Sequence, residues 1–91
     1  MKYALVFTPY ATRLFKNLPR PAQEALDDKL LEVERDPHKT GQRLKGKYKQ
    51  FYKVRSGDYR IVYDIQGTKL VVLVVGDRKN VYDLLVRAGL A

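Results

Sequence analysis

Apolar residues recur at helical spacing in the first half of the chain. Residues 2–7 form a short apolar run that predicts a strand, and Thr8-Pro9 is typical of a helix N-cap followed by proline at the first helical position. Two amphipathic helices are predicted next, separated by Pro19, and the second opens at Pro21. Their apolar residues are Tyr10, Ala11, Leu14, Phe15 and Leu18 in the first helix and Ala22, Ala25, Leu26, Leu30 and Val33 in the second. The pattern therefore predicts a helical hairpin whose apolar face needs a sheet to cover it.

The second half of the chain is rich in β-branched and aromatic residues and predicts a meander. The segment RDPHKTG is interpreted as the loop that leads into it. The connections between the strands, at Ser56-Gly57 and Gly67-Thr68, are both short enough to be two-residue hairpin turns. Gly67 suits the first position of a type II′ turn. Three strands and a last helix are predicted at residues 48–55, 58–66, 69–76 and 80–87. The order β-α-α-β-β-β-α predicts an α+β fold, an antiparallel meander packed against the helical hairpin in one domain of residues 1–91.

The two-residue turns predict the register of the meander and therefore which side chains share a face. Lys53 would lie opposite Arg60, and Arg60 opposite Val75. Like charges directly opposite each other destabilise a strand pair, so either solvent screens the pair or an anion belongs beside it. One face would hold Tyr52, Val54, Tyr59, Ile61, Tyr63, Ile65, Leu70, Val72 and Val74 against the helices, and the other Lys49, Phe51, Lys53, Arg60, Val62, Leu73 and Val75.

Composition narrows the class of protein. The 91 residues are 45% hydrophobic and contain no cysteine, which describes a folded domain without disulfides or thiolate chemistry. The longest apolar run has six residues, LVVLVV, about a third of a membrane span. No signal peptide is recognisable at the start. We therefore expect a cytoplasmic protein with no membrane partner.

The positive charge is concentrated in the second part of the chain. Residues 1–38 hold six Lys/Arg and six Asp/Glu, whereas residues 39–91 hold twelve and four, which accounts for the whole net charge of +8. Between Lys39 and Arg60 there are eight cations and one acid, Asp58. This asymmetry indicates a polyanionic partner, such as nucleic acid, an anionic surface or an acidic protein.

Several kinds of catalytic site can be excluded from the sequence. The only histidine is His38, and a metal site needs more ligands than this, so no metal and no cofactor are predicted. No Ser/His/Asp or Cys/His set can be assembled. The segment GQRLKGK lacks the spacing of a phosphate-binding loop. Any catalysis must therefore use Lys, Arg and Tyr.

The predicted register would bring Lys49, Lys53, Arg60 and Arg78 to one sheet face and its rim. Such side chains bind phosphates, arginine through two donors and lysine as a point charge. Tyr82 follows Arg78 by four residues and could reach the same rim. RNA-binding side chains would be Lys45, Lys47, Lys49, Phe51 and Arg55, with Phe51 stacking on a base. The alternative is that the last helix covers Phe51, Val62, Leu73 and Val75, and that the cations only extend outward from this face.

Two long segments resemble a known family. GQRLKGKYKQFYKVRSGDYRIVYDI and KLVVLVVGDRKNVYDLL are similar to the RelE/ParE superfamily of toxins from type II toxin–antitoxin systems. The resemblance covers nearly the whole chain and implies a RelE-like fold. RelE-type members are metal-independent ribonucleases that cut messenger RNA, usually in the ribosomal A site. ParE-type members share the fold, poison DNA gyrase and lack the basic catalytic set, so the site must decide the function.

The resemblance implies a catalytic set of Lys53, Arg60, Arg78 and Tyr82, with Arg55 as a further basic position. The RNA 2′-OH would attack its own scissile phosphate, with Arg60 and Arg78 on the non-bridging oxygens. Lys53 would help to activate the 2′-OH or stabilise the transition state, and Tyr82 would act as base or orient the nucleotide. The chain departs from the family pattern at Phe51, where some relatives have lysine, and at Asp77, where many have histidine. The Arg78 to Tyr82 spacing is also shorter than in some active members.

The resemblance also implies partners. These are a small acidic antitoxin, in a hetero-oligomer with this chain, and mRNA in the ribosome. The sequence therefore predicts an mRNA-cleaving toxin. Two alternatives stay open: a ParE-like gyrase inhibitor, and an inactive homologue that only binds RNA.

Overall fold

The computed structural model describes residues 3–90, which form one mixed five-stranded sheet with helices on both faces. The strands are β1 (Ala4–Phe7), β2 (Gln42–Arg43), β3 (Tyr52–Ser56), β4 (Tyr59–Gln66) and β5 (Lys69–Asp77). The helices are α1 (Pro9–Lys16), α2 (Arg20–Arg35), α3 (Pro37–Thr40) and α4 (Val81–Arg87), with a 3₁₀ turn at Gly46–Tyr48. The predicted α+β class is confirmed. Within the strand predicted at residues 2–7, Lys2 lies outside the described residues.

The sheet contains two strands beyond the predicted meander. Its order is β1-β5-β4-β3-β2, and β1 is parallel to β5. At the opposite edge β2 pairs with only the first two residues of β3, so most of the outer edge of β3 has no neighbouring strand. The segment predicted as a loop, RDPHKTG, contains α3, and β2 follows directly after it. Asp36 begins α3 by accepting a hydrogen bond from the Lys39 backbone N–H at 3.3 Å.

The predicted helices are confirmed, and their ends have local causes. The Thr8 side chain accepts a hydrogen bond from the Ala11 N–H at 3.1 Å, and Pro9 occupies the first helical position of α1. In α2 the buried positions are Leu26, Leu30 and Val33, which lie on one stripe at helical spacing.

Each face of the sheet has its own hydrophobic core. The first core lies under α1 and α2, as predicted, and its buried residues are Ala11, Leu26, Leu30, Val33, Tyr52, Val54, Ile61, Tyr63, Leu70, Val72 and Val75. The second core lies under α4 and contains Leu44, Tyr48, Phe51, Val62, Leu73, Val74, Val81, Leu84 and Leu85. The alternative in which the last helix covers these side chains is therefore correct for Phe51, Val62 and Leu73 and wrong for Val75, which belongs to the first core.

The strand predicted at residues 48–55 begins later, at Tyr52. Gly46 adopts a φ of 68°, and the 3₁₀ turn that it opens carries Tyr48 into the second core. The Phe51 N–H donates to the Tyr48 carbonyl at 2.9 Å, and the two rings stack with centroids 6.3 Å apart. Burial of both rings therefore replaces the first half of the predicted strand.

The first hairpin turn is one residue further along than predicted. Ser56 pairs with Tyr59, so Gly57 and Asp58 are the two turn residues. A two-residue turn of type II′ needs glycine at its first central position, and Gly57 supplies it with a φ of 60°. A turn at Ser56-Gly57 would have put the glycine second. The second turn has the predicted residues, with Gly67 at a φ of 62°.

The shifted turn changes the cation pairs but keeps their face. Lys53 lies opposite Val62, and Arg55 lies opposite Arg60, so the predicted Lys53–Arg60 pair is wrong. Each partner moves by two positions, and side chains two positions apart point to the same side of a strand. Lys53, Arg55 and Arg60 therefore still share one face, with Lys53 diagonal to Arg60.

A β-bulge in β5 alters the faces near the end of that strand. Tyr63 pairs with Val72, but Val62 pairs with Val74, so Leu73 is an extra residue in β5. Leu73 and Val74 both contribute to the second core as a result.

Beyond the bulge, three predicted positions are wrong. Val75, not Val74, lies opposite Ile61 and joins the first core. Arg60 lies opposite Gly76 rather than Val75. The extra residue reverses the alternation of β5. Each side chain after it therefore points to the face opposite the one that was predicted.

Tyr63 links the sheet to α3. Its side chain is fully buried, and its hydroxyl donates to the Pro37 carbonyl at 2.6 Å. Burial raises the pKa of the Tyr63 hydroxyl well above its usual value, so the group stays protonated and remains a donor. Tyr52 stacks on Tyr63 with ring centroids 5.6 Å apart. These contacts hold the segment that carries Gly41 against the sheet.

Candidate functional site

A cationic cleft lies where the meander meets the start of α4. It has a volume of about 430 Å³, and its lining includes Lys53 of β3, Arg60 of β4, Arg78 and Lys79 after β5, and Tyr82 of α4. Lys53 and Arg60 are half-buried, whereas Arg78 and Tyr82 are exposed. The four residues predicted as catalytic are therefore brought together, and we call this the Arg78 cleft.

The turn that carries Arg78 is held by its backbone and by one carboxylate. The Arg78 N–H donates to the Asp58 carbonyl at 3.0 Å. Asp77 Oδ1 accepts from the N–H groups of Lys79 at 2.9 Å and Asn80 at 3.0 Å. These bonds fix the path of the turn without using the Arg78 side chain, which stays available for a ligand.

The approach of α4 to β5 depends on Gly76. A Cβ at this position would overlap Leu84 Cδ1 and lie 2.8 Å from Asn80 Oδ1. A larger residue at position 76 would therefore require the Leu84 and Asn80 side chains to shift. This close approach places Tyr82 beside Arg60, which lies opposite Gly76 in the sheet.

None of the described carboxylates is paired with a cation of the site. Among residues 3–90, the one ion pair within 4 Å is Lys29–Glu32 on α2, at 3.0 Å. Arg60 Nη1 donates to two backbone carbonyls, those of Tyr59 at 3.3 Å and Gly57 at 3.5 Å. The charges of Lys53, Arg60 and Arg78 are therefore compensated by solvent or by a bound anion.

A second cleft adjoins the first and shares two of its cations. It has a volume of about 390 Å³ and extends from the sheet face around the outer edge of β3 towards α2. Its polar lining residues are Lys29, Thr40, Gln42, Lys53, Arg55 and Arg60. We call it the Arg55 cleft, because Arg55 is the predicted RNA-binding residue that it contains.

The predicted lysines before β3 lie outside both clefts. Lys45, Lys47 and Lys49 are exposed in and around the 3₁₀ turn. Lys47 Nζ lies 5.3 Å from the centre of the Tyr48 ring, and the Lys49 carbonyl accepts from Arg43 Nη1 at 3.4 Å. They form a basic segment beside the site and do not contribute to either cleft.

The position of Phe51 argues against the stacking role predicted for it. Its side chain is 5% exposed and packs in the second core against Tyr48. A ring in this position cannot stack on a base without leaving the core. The aromatic side chain that is exposed at the Arg78 cleft is Tyr82, at 46%.

Sequence reasoning missed several residues of the two clefts. Lys79 directly follows Arg78, and this adjacency could have indicated it. Lys29 lies in the second predicted helix but not among its apolar positions, Thr40 lies in the segment interpreted as a loop, and Gln42 follows that segment. Their position beside β3 is a tertiary contact, for which the local sequence carries no signal.

Among the described residues, no group of three or more His, Cys, Asp or Glu side chains is arranged to hold a metal ion. No helix within residues 3–90 has the length and apolar character needed to cross a membrane. The polar side chains that line the Arg78 cleft are those of Lys53, Arg60, Arg78, Lys79 and Tyr82.

Fold and site together define a small α+β protein that presents unpaired cations in a cleft, an arrangement suited to phosphate groups. A family model for the ParE toxin of type II toxin–antitoxin systems, parDE, matches residues 5–82. The chain belongs to this family, within the RelE/ParE superfamily that its motifs predicted.

Individual relatives support the same assignment. The mRNA interferase toxin RelE of Escherichia coli K12 is 34% identical over an alignment of 94 positions. The alignment covers 96% of this chain and 97% of that protein. The Mycobacterium tuberculosis RelBE2 toxin–antitoxin complex contains a chain with a TM-score of 0.79 and 28% identity, covering 86% of this chain and 100% of that one. A mutant of the E. coli RelE toxin in the free state has a TM-score of 0.78 and 28% identity. The match covers 98% of this chain and 96% of that one.

Proposed function

We propose that this chain is the toxin of a type II toxin–antitoxin system and an endoribonuclease that cleaves mRNA. The observation that carries the proposal is the Arg78 cleft, in which Lys53, Arg60 and Arg78 meet without a carboxylate partner. The relatives of nearly equal length that are named mRNA interferases support the same activity.

The reaction is an attack of the RNA 2′-OH on the adjacent phosphate. The 2′-OH gives up its proton as a bond forms between the 2′ oxygen and phosphorus. The bond from phosphorus to the 5′ oxygen breaks, and the 5′ oxygen takes up a proton, so the products are a 2′,3′-cyclic phosphate and a 5′-OH. Arg60 and Arg78 donate to the non-bridging oxygens, on which negative charge increases in the transition state. Lys53 lies diagonal to Arg60 and neutralises charge on the attacking or leaving oxygen.

Tyr82 is the aromatic residue best placed to orient the substrate. Its ring is exposed at the cleft and lies 6.4 Å from that of Tyr48, centroid to centroid. This contact limits its movement and leaves one face open for a base. Tyr82 thus takes the stacking role that the sequence assigned to Phe51.

The ribosome and an antitoxin complete the proposal. The cleft offers cations and a phenol but no side chain that is a strong base at neutral pH, so free RNA is cleaved slowly and the ribosome supplies the reactive geometry. Solved relatives include the intact E. coli RelBE toxin–antitoxin complex, with 30% identity and a TM-score of 0.69. By analogy, an acidic antitoxin forms a hetero-oligomer with this chain in the cytoplasm and covers its cations.

The experiment that tests this function is induced expression in bacterial cells followed by mapping of mRNA 5′ ends. Cuts in a fixed position relative to codons are expected within minutes. The second candidate function is inhibition of DNA gyrase, which the resemblance to ParE-type toxins implies, and the family model that matches is one of ParE toxins. Growth arrest with intact mRNA and loss of supercoiling activity would favour that candidate and contradict ours.

We expect Asp77 to matter through its hydrogen bonds rather than its charge. Asp77→Ala removes both acceptor contacts to the turn, lets Arg78 move, and should lower kcat up to about 100-fold with little change in KM. Asp77→Asn keeps an acceptor oxygen and should retain activity within a few-fold. Cleavage of mRNA on purified ribosomes measures both variants. Equal losses in the two variants would show that the carboxylate charge is what matters.

A further inference from the structure

The Arg55 cleft contains four cations, Lys29, Lys53, Arg55 and Arg60, and its lining includes no carboxylate. Two of them, Lys53 and Arg60, also line the Arg78 cleft, so the two clefts meet at these side chains. A ligand that neutralises both clefts must therefore carry at least two negative charges spaced along its length.

Arg55 and Arg60 are two cations of this cleft that lie directly opposite each other on neighbouring strands. The residues that flank a two-residue turn, Ser56 and Tyr59, form a hydrogen-bonded pair, and the next pair of a hairpin is of the non-hydrogen-bonded kind. In such a pair the Cα atoms are only about 4.5 Å apart and the side chains are close. Two arginine side chains on one face at this Cα separation repel each other, and an anion bound between them relieves the repulsion.

Lys29 approaches the same cleft from α2. Its ammonium group is paired with Glu32 at 3.0 Å, and both side chains are partly exposed, at 28% and 58%. An exposed pair of this kind is weak and exchanges readily for another anion. Thr40 and Gln42 add neutral polar groups on the same side, which suit a ribose hydroxyl or a phosphate oxygen.

We propose that the Arg55 cleft is a second phosphate subsite, which binds a phosphodiester next to the scissile one on the same RNA strand. This subsite rests on the proposed function, because the Arg78 cleft holds the scissile phosphate. The strand runs from the Arg78 cleft across Lys53 and Arg60 and around the outer edge of β3 towards Lys29. The cations shared by the two clefts favour one continuous strand over two separate ligands.

The test compares short and long RNA. Oligonucleotides of two and seven nucleotides without terminal phosphates, made with 2′-O-methyl groups so that the attacking hydroxyl is blocked, are titrated with the wild-type chain and with Lys29→Gln and Arg55→Gln. The wild type should bind the longer RNA more tightly. Each variant should weaken the longer RNA by up to about fivefold and leave the shorter unchanged. The slope of log K against log salt should fall by about 0.7 for the longer RNA.

Lys69→Gln is the matched control, because Lys69 is exposed at the opposite end of β5 from Arg78 and should affect neither length. Equal weakening of both lengths, or of neither, overturns the subsite. Wild-type affinity that does not depend on length also overturns it. Loss of binding to an acidic peptide, with RNA binding intact, assigns the cleft to a protein ligand instead. Mapped mRNA cuts would stand in each of these cases, so the proposed function fails only if the cuts are absent.

Discussion

The Arg78→Ala variant is expected to fold normally and to cleave mRNA about 10²–10³ times more slowly than the wild type. The side chain of Arg78 is exposed, and the bonds that hold its turn come from the backbone and from Asp77. Its loss therefore removes charge stabilisation of the transition state and little else. Arg60→Ala should have an effect of similar size, because both arginines line the same cleft.

Single-turnover cleavage of mRNA on programmed ribosomes measures this effect directly, since it separates the chemical step from product release. Lys69→Ala is the control, because Lys69 is an exposed cation at the start of β5, and Arg78 follows the other end of that strand. The double variant Arg60→Ala/Arg78→Ala should lose less than the product of the two single losses, since groups that act on one phosphate are not additive. Full activity in Arg78→Ala would contradict the proposed site.

The Gly41→Ala variant is expected to lose about 1–3 kcal/mol of unfolding free energy, although only one methyl group is added. The new Cβ would overlap Tyr63 Oη and lie 2.9 Å from Tyr63 Cζ. Tyr63 is fully buried and cannot move away without disturbing the first core. The backbone of Gly41 has an ordinary extended conformation, with a φ of −94°, so the cost is steric and not conformational.

Tyr63→Phe provides the matched test of this explanation. Alone, it should cost about 1–3 kcal/mol, because the Pro37 carbonyl loses its donor. Combined with Gly41→Ala, it removes the overlapping oxygen, so the double variant should be more stable than the sum of the single effects by at least about 0.5 kcal/mol. Urea unfolding of the four proteins gives the coupling. Strict additivity would show that the overlap is relieved in some other way.

The overall fold could be predicted from the sequence because its long elements have clear periods. The stripe of Leu26, Leu30 and Val33 requires a helix, and the alternation from Tyr59 to Tyr63 requires a strand. The features that were missed are short or depend on a single residue. The strand β2 has two residues, too few for alternation, and the bulge at Leu73 is hidden in a run that is apolar throughout.

The candidate site was predicted better than the register that supported it. Lys53, Arg60 and Arg78 share a cleft although Lys53 and Arg60 are not directly opposite. The sequence left two roles open for Phe51, base stacking and burial under the last helix, and the 3₁₀ turn that brings Tyr48 over the Phe51 ring decides for burial. Lys29 could not be found at all, since α2 and the edge of β3 meet only in the folded chain.

The position of the first hairpin turn has a consequence for how this protein can vary. When the turn moves along the hairpin by one residue, every residue of β3 gains a new partner in β4, two positions away from the old one. No side chain changes face, because residues two positions apart point to the same side of a strand. Drift of the turn glycine along the hairpin is therefore tolerated by both the core and the cations. A single inserted residue within β3 is not tolerated, because it would put Lys53 inside and Tyr52 outside. The hairpin therefore tolerates substitutions that move the turn but does not tolerate insertions within its strands. Among related sequences, the position of the turn glycine should vary while the lengths of β3 and β4 stay constant.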